Sequence, residues 1–242
     1  MAAPTIVFDL DGTLVDTAPD LIAALNTILA REGLPAVDFA AARNMVGGGA
    51  RSMIERGLKA EGLIPVAADV ERLYGQFIEH YAAHIADSSR PFPGVEAALD
   101  ELARAGCRLA VCTNKLEWLS RSLLGALALT DRFAAICGAD TFGVPKPDAA
   151  ILHGTVARAG GDPAIAIMVG DAITDIALAR AAGIAVIAVD FGYSETPVAE
   201  LAPDRIVSSF ERLPEVVFAL LATQGTNLGR KLIGDLPYTR HT

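Results

Sequence analysis

The sequence predicts an α/β fold: a parallel sheet flanked by helices on both faces, interrupted early by an all-helical insertion. Three observations carry that reading. From residue 90 onward, short runs rich in β-branched residues alternate with stretches of helical periodicity, the pattern of strands joined by crossover helices. One further apolar run stands alone at residues 5–9. Between residues 16 and 90 no strand-like run occurs, and apolar residues recur only at helical spacing.

The elements follow in order. TIVFD, residues 5–9, is the first strand. Leu21, Ile22, Leu25, Ile28 and Leu29 then mark a helix with Asp16 or Thr17 as N-cap and Gly33 and Pro35 as its stop. Further helices are expected at about 38–46, 50–61 and 67–87. After PFPGV, helices at 94–105, 116–127, 147–159 and 173–182 alternate with strands at 108–113, 134–138, 164–171 and 185–190. The first strand completes this sheet, so the helical block must be inserted between hinges near Val15–Asp16 and Ser88–Pro91. The expected organisation is a Rossmann-like core from residues 1–15 and 91–223, an all-helical domain at 16–90, and a loosely ordered basic tail at 224–242.

With 242 residues, 52% hydrophobic and 20% charged, the chain has enough apolar material for a sizeable core. A net charge of −9 argues against a nucleic-acid backbone as its partner, since such binders carry a basic face. No apolar run approaches the roughly 20 residues of a membrane-spanning helix, and Asp9 interrupts the N-terminus before a signal-peptide core forms. The expectation is a cytoplasmic protein that engages neither nucleic acid nor membrane; a homodimer is compatible with it. Cys107, Cys112 and Cys137 form no C-x-x-C and fit reduced thiols.

In open parallel sheets ligands gather beyond the carboxyl ends of the strands. Those ends here carry Asp9 and Asp11 in DLDGT, Thr113, Asn114 and Lys115 in CTNK, and Asp171 and Asp175 in GDAITD, with Lys146 in the loop GVPKPD. Each has a local explanation, because Asp and Gly form turns, Thr and Asn cap helices, and Asp175 suits a helix N-terminus. Together they converge only in the fold just described. Several carboxylates without a histidine cluster suit a hard cation such as magnesium. A lysine, a hydroxyl and backbone amides suit a phosphoryl group, whose transfer needs mostly positioning and charge neutralisation and can use an Asp as covalent nucleophile.

DLDGTLVDT, CTNK, PKPD and GDAITDIALARAAG resemble, in order and on the expected elements, the four motifs of the haloacid dehalogenase superfamily. VGGGARSMIERGL, PFPGV and FGYSETPVAELAPDRIVSSFERLPEVV resemble its phosphoglycolate phosphatase branch, and the helical block resembles that superfamily's small cap. The resemblance implies a magnesium-dependent phosphatase in which Asp9 forms an aspartyl-phosphate and Asp11 is general acid to the leaving alcohol, then base for water. It implies Thr113 and the Asn114 amide as holders of the phosphoryl oxygens and Lys146 as the neutralising cation. Magnesium would rest on Asp9, the Asp11 backbone carbonyl and Asp171, with Asp175 in or behind that shell. One departure is Ala149, which stands where the third motif commonly has a second proline.

The implied partner is a small phosphorylated substrate, 2-phosphoglycolate before others. The alternatives are a phosphatase or mutase acting on a sugar phosphate or nucleotide, and a non-catalytic, phosphorylated receiver-like module. A substrate carboxylate calls for a second contact, for which Gly48, Arg51 and Lys115 are the candidates; Arg51 follows the glycines at 47–49 at the start of an expected helix. His80 and His84, four apart on an expected helix, lack the further ligands of a zinc site and are read as packing or exposed residues.

Overall fold

The computed structural model describes residues 3–224, so the expected tail lies, beyond Gln224, outside the described residues. The first apolar run forms β1 (Thr5–Phe8), every residue of it buried. A two-residue strand β2 (Val15–Asp16) follows, then four helices: α1 (Ala18–Arg31), α2 (Phe39–Arg43), α3 (Ala50–Ala60) and α4 (Ala67–Ala83). The chain returns through β3 (Arg90–Pro91), which pairs antiparallel with β2. Then come α5 (Val95–Arg104), β4 (Arg108–Cys112), α6 (Glu117–Ala126), β5 (Ala135–Cys137), α7 (Ala149–Arg158), β6 (Ala166–Gly170), α8 (Ile173–Ala182), β7 (Ala185–Val189), β8 (Arg205–Val207) and α9 (Leu213–Thr223).

Six strands form one parallel sheet in the order β5-β4-β1-β6-β7-β8, with β1 between β4 and β6. Side chains alternate faces along each strand. Ile6, Phe8, Val111 and Val169 therefore pack under α5, α6 and α9, while Val7, Ala110, Cys112 and Met168 pack under α7 and α8. Phe8 stands opposite both Val111 and Val169. The residues just past these three strand ends, near Asp9, Thr113 and Asp171, thus leave the sheet side by side. This is the crevice where the strand order turns back, the place such sheets bind ligands.

The inserted helices have their own core, centred on Leu25, Ile28, Leu29, Ile54, Phe77 and Tyr81. Both connections pass through the β2–β3 ribbon, and the buried Asp20 carboxylate ties them by accepting from the Ser88 N–H at 2.9 Å, the Ser89 N–H at 2.8 Å and the Ser89 hydroxyl at 2.6 Å. Those bonds lie in the segment after α4, which ends at Ala83 rather than running to residue 87. The sixth strand, β8, is a three-residue edge strand too short to show a period, and it is placed by pairing with β7. The cysteines are free and buried. Among the described residues no helix is long and apolar enough to cross a membrane.

Candidate active site

Asp9 leaves the end of β1 almost fully buried, 3% exposed. Its Oδ1 accepts from the Leu10 N–H at 2.7 Å and meets Lys146 Nζ at 2.8 Å, so the carboxylate is fixed through one oxygen. Gly12 then turns the chain at φ +83°, a conformation that disfavours side chains, and a Cβ there would fall 2.6 Å from Asp171 Oδ2. Asp11, two residues past Asp9 and just before this turn, lies in a separate environment. Its Oδ1 accepts from the Thr17 hydroxyl at 2.7 Å and pairs with Lys115 Nζ at 2.9 Å.

Thr17 holds the N-cap position of α1 but does not cap it with its side chain. Its hydroxyl is taken by Asp11, and the N–H groups of Thr17 and Ala18 donate instead to the Tyr193 hydroxyl at 2.8 and 3.0 Å. Tyr193 also donates its hydroxyl to Asp16 and its backbone N–H to Asp171 Oδ2, at 2.6 and 2.7 Å. The other Asp171 oxygen accepts from the Thr13 hydroxyl at 2.8 Å.

Asp175, three residues into α8, accepts from the N–H groups of Asp171 and Ala172 at 3.2 and 3.0 Å and takes Lys146 Nζ at 2.7 Å. Lys146 therefore bridges Asp9 and Asp175. Its loop is anchored by the Asn114 side chain, whose Oδ1 accepts from the Lys146 N–H at 2.8 Å, while the Thr113 hydroxyl accepts from the Lys115 N–H at 3.2 Å.

The structure thus gathers Asp9, Asp11, Thr113, Asn114, Lys115, Lys146, Asp171 and Asp175 at one crevice. Above it lies a cavity of about 360 Å³ walled by the inserted helices, including Gly48, Arg51, Tyr74 and Tyr81. Arg51 reaches this wall with its guanidinium engaged, bonded to both Glu71 oxygens at 2.6 and 2.9 Å and stacked 3.7 Å from the Tyr74 ring centre. Thr13, Thr17, Tyr81 and Tyr193 are parts of the site to which sequence reasoning assigned no role there; the threonines, inside the first motif, and Tyr193, inside FGYSETP, carried a local signal.

Charge is unevenly shared. Asp9, Asp171 and Asp175, all buried, place one oxygen each within 4.8 Å of one another, with Lys146 as their ammonium. Burial, with Asp175 and Asp171 adding to it and Lys146 opposing it, pushes Asp9 up to about 8. Burial and Asp175 likewise push Asp171 up to about 7. Burial alone would depress Lys146, but Asp175 and Asp9 outweigh it and hold it above its usual range. A cluster this acidic and dry is costly without a cation, and its all-oxygen donors fit magnesium.

A buried parallel-sheet crevice with paired aspartates, a bridging lysine and a covering cavity suits chemistry on a phosphoryl group. The chain belongs to the haloacid dehalogenase-like hydrolase family, whose model matches residues 6–189. It is 49% identical over 219 residues to the phosphoglycolate phosphatase of Caulobacter vibrioides, covering 90% of this chain and 92% of that one. It is 51% identical over 213 residues to that of Mesorhizobium japonicum, covering 88% and 94%. A solved structure, a predicted phosphoglycolate phosphatase from Haemophilus somnus, superposes with a TM-score of 0.82 at 29% identity over 88% of this chain and 97% of that one.

Proposed function

We propose that this phosphatase is magnesium-dependent, that 2-phosphoglycolate is its substrate and that Asp9 is its nucleophile. The observation that carries the chemistry is the contrast between two neighbouring carboxylates: Asp9 lies in an acidic cluster, while Asp11 has Lys115 to itself. The substrate assignment is supported by the phosphoglycolate phosphatases of 47–51% identity and by a cavity of about 360 Å³, which suits a small molecule.

Magnesium would rest on Asp9, the Asp11 backbone carbonyl and Asp171, with Asp175 behind, and bound there it neutralises the charge of carboxylates and phosphoryl oxygens. Asp9, oriented by Leu10 and Lys146, attacks phosphorus as the ester bond breaks. Asp11, held through Oδ1 by Thr17 and Lys115, enters the step with a proton on its other carboxyl oxygen and gives that proton to the departing alcohol. It then takes a proton from the water that attacks the aspartyl-phosphate, releasing phosphate and restoring Asp9. Thr113 and the Asn114 N–H hold the phosphoryl oxygens, and Lys146 offsets their charge. Residues 16–90 act as a cap over the residue 1–15 and 91–223 core, keeping bulk water from the intermediate.

Phosphate release from 2-phosphoglycolate, a sugar phosphate and a nucleoside monophosphate, each with and without magnesium, tests the reading. Turnover should require magnesium and favour 2-phosphoglycolate. A higher kcat/KM on either other ester would overturn the substrate, and full turnover in chelator would overturn the metal.

A further inference from the structure

We infer that Lys115 and Tyr81 together read the substrate's carboxylate, so that selectivity for a two-carbon acid is set beside the acid–base residue and not at the outer cavity wall. The inference rests on the proposed substrate. In 2-phosphoglycolate the carboxylate carbon is two bonds from the ester oxygen that Asp11 must reach. Whatever reads that carboxylate must therefore stand next to Asp11.

Lys115 does. Its Nζ is 2.9 Å from Asp11 Oδ1, and both side chains are buried. An ammonium has three donors. One goes to Asp11 and one to the Tyr81 hydroxyl at 3.1 Å, with the ammonium 4.6 Å from the Tyr81 ring centre. No bond among the described residues uses the third, and Lys115 and Tyr81 both line the cavity. Tyr81 accepts from Lys115, so its own O–H proton remains to donate to an anion. Tyr81 comes from α4 and Lys115 from the loop after β4, so the pair assembles only when the inserted helices lie against the sheet. Arg51 is the competing reader. Its guanidinium is already held by Glu71 and Tyr74, and half of its side chain is exposed.

The test compares 2-phosphoglycolate with 2-hydroxyethyl phosphate, which matches its length without the charge. Lys115→Met should lower kcat on both, because Asp11 loses its ion pair, but should raise KM for 2-phosphoglycolate on the order of 10- to 100-fold more than for the neutral ester, the scale of one charge-assisted hydrogen bond. Lys115→Arg should recover part of that difference. Tyr81→Phe keeps the ring stacked on Phe77 and should shift KM in the same selective direction by a smaller factor; it decides the matter if Lys115→Met does not fold. Equal KM changes on both esters in the folded variants, or a selective loss in Arg51→Ala instead, would overturn the inference and leave the substrate assignment standing. A wild-type enzyme with no preference for 2-phosphoglycolate would overturn both.

Discussion

At the sheet end one ammonium pairs with two of three clustered carboxylates, Asp9 and Asp175, and leaves Asp171 to hydrogen bonds from Thr13 and Tyr193, whereas beneath α4 a single carboxylate has an ammonium to itself. Only Leu10 separates the aspartates of the two regions, Asp9 and Asp11, in sequence. In the proposed mechanism the difference between these regions sorts the chemistry: the acidic floor would take the cation and present the nucleophile to an anionic phosphoryl group, and the wall would move the proton and hold the substrate's tail. On that reading two aspartates of identical chemistry would acquire different tasks from their neighbours alone.

The most severe way to break the comparison is on the floor. Asp9→Asn should abolish phosphate release, because an amide is a very poor nucleophile; appreciable residual turnover would remove Asp9 from the covalent role. On the wall, Asp11→Asn should leave magnesium binding nearly intact but lower kcat on 2-phosphoglycolate by roughly 100- to 10,000-fold, the usual worth of general acid–base help. A loss of only about twofold would take Asp11 out of proton transfer.

Asp171→Asn sharpens the contrast by removing floor charge while keeping shape. It should raise the magnesium concentration needed for half-maximal activity, and unchanged dependence would mean the metal sits elsewhere. The same surplus makes metal-free stability fall with pH. Asp9 and Asp171 bind protons more tightly folded than unfolded, so stability present at low pH is lost as pH rises from the ordinary carboxylate value of 3.8 through about 7 and about 8. The gap in melting temperature between magnesium-loaded and metal-free protein should therefore widen with pH across that window in wild type and widen less in Asp171→Asn. Smallest of all, Arg51→Ala removes an exposed ion pair with Glu71, so turnover of both esters should change by no more than a few-fold, the scale of such pairs.

The sheet was legible because buried parallel strands read as apolar runs and their crossover helices keep a period; β8, three residues at the edge, has too few positions to show one. The carboxylates of both regions and Lys115 were legible from their places just past strand ends, and Lys146 from its loop. The tyrosines were not. Tyr81 lies on the buried stripe of α4, where an aromatic residue reads as packing, and only the tertiary fold turns its hydroxyl onto Lys115. Tyr193 likewise caps α1 from 175 residues away in sequence. Thr17 read as that cap, and its hydroxyl proves to be spent on Asp11.

The division of labour between floor and wall is tested most directly by trapping. p-Nitrophenyl phosphate has a leaving group that departs without a proton, so Asp11→Asn protein should still transfer its phosphoryl group to Asp9 but lack the base that activates water. Acid-quenched mass spectrometry of that variant, mixed with p-nitrophenyl phosphate and magnesium, should find a phosphoryl adduct accumulating on the peptide that contains Asp9, and none in the Asp9→Asn, Asp11→Asn double variant. An adduct on another residue, or nitrophenol release at the wild-type steady rate with no adduct, would contradict the account.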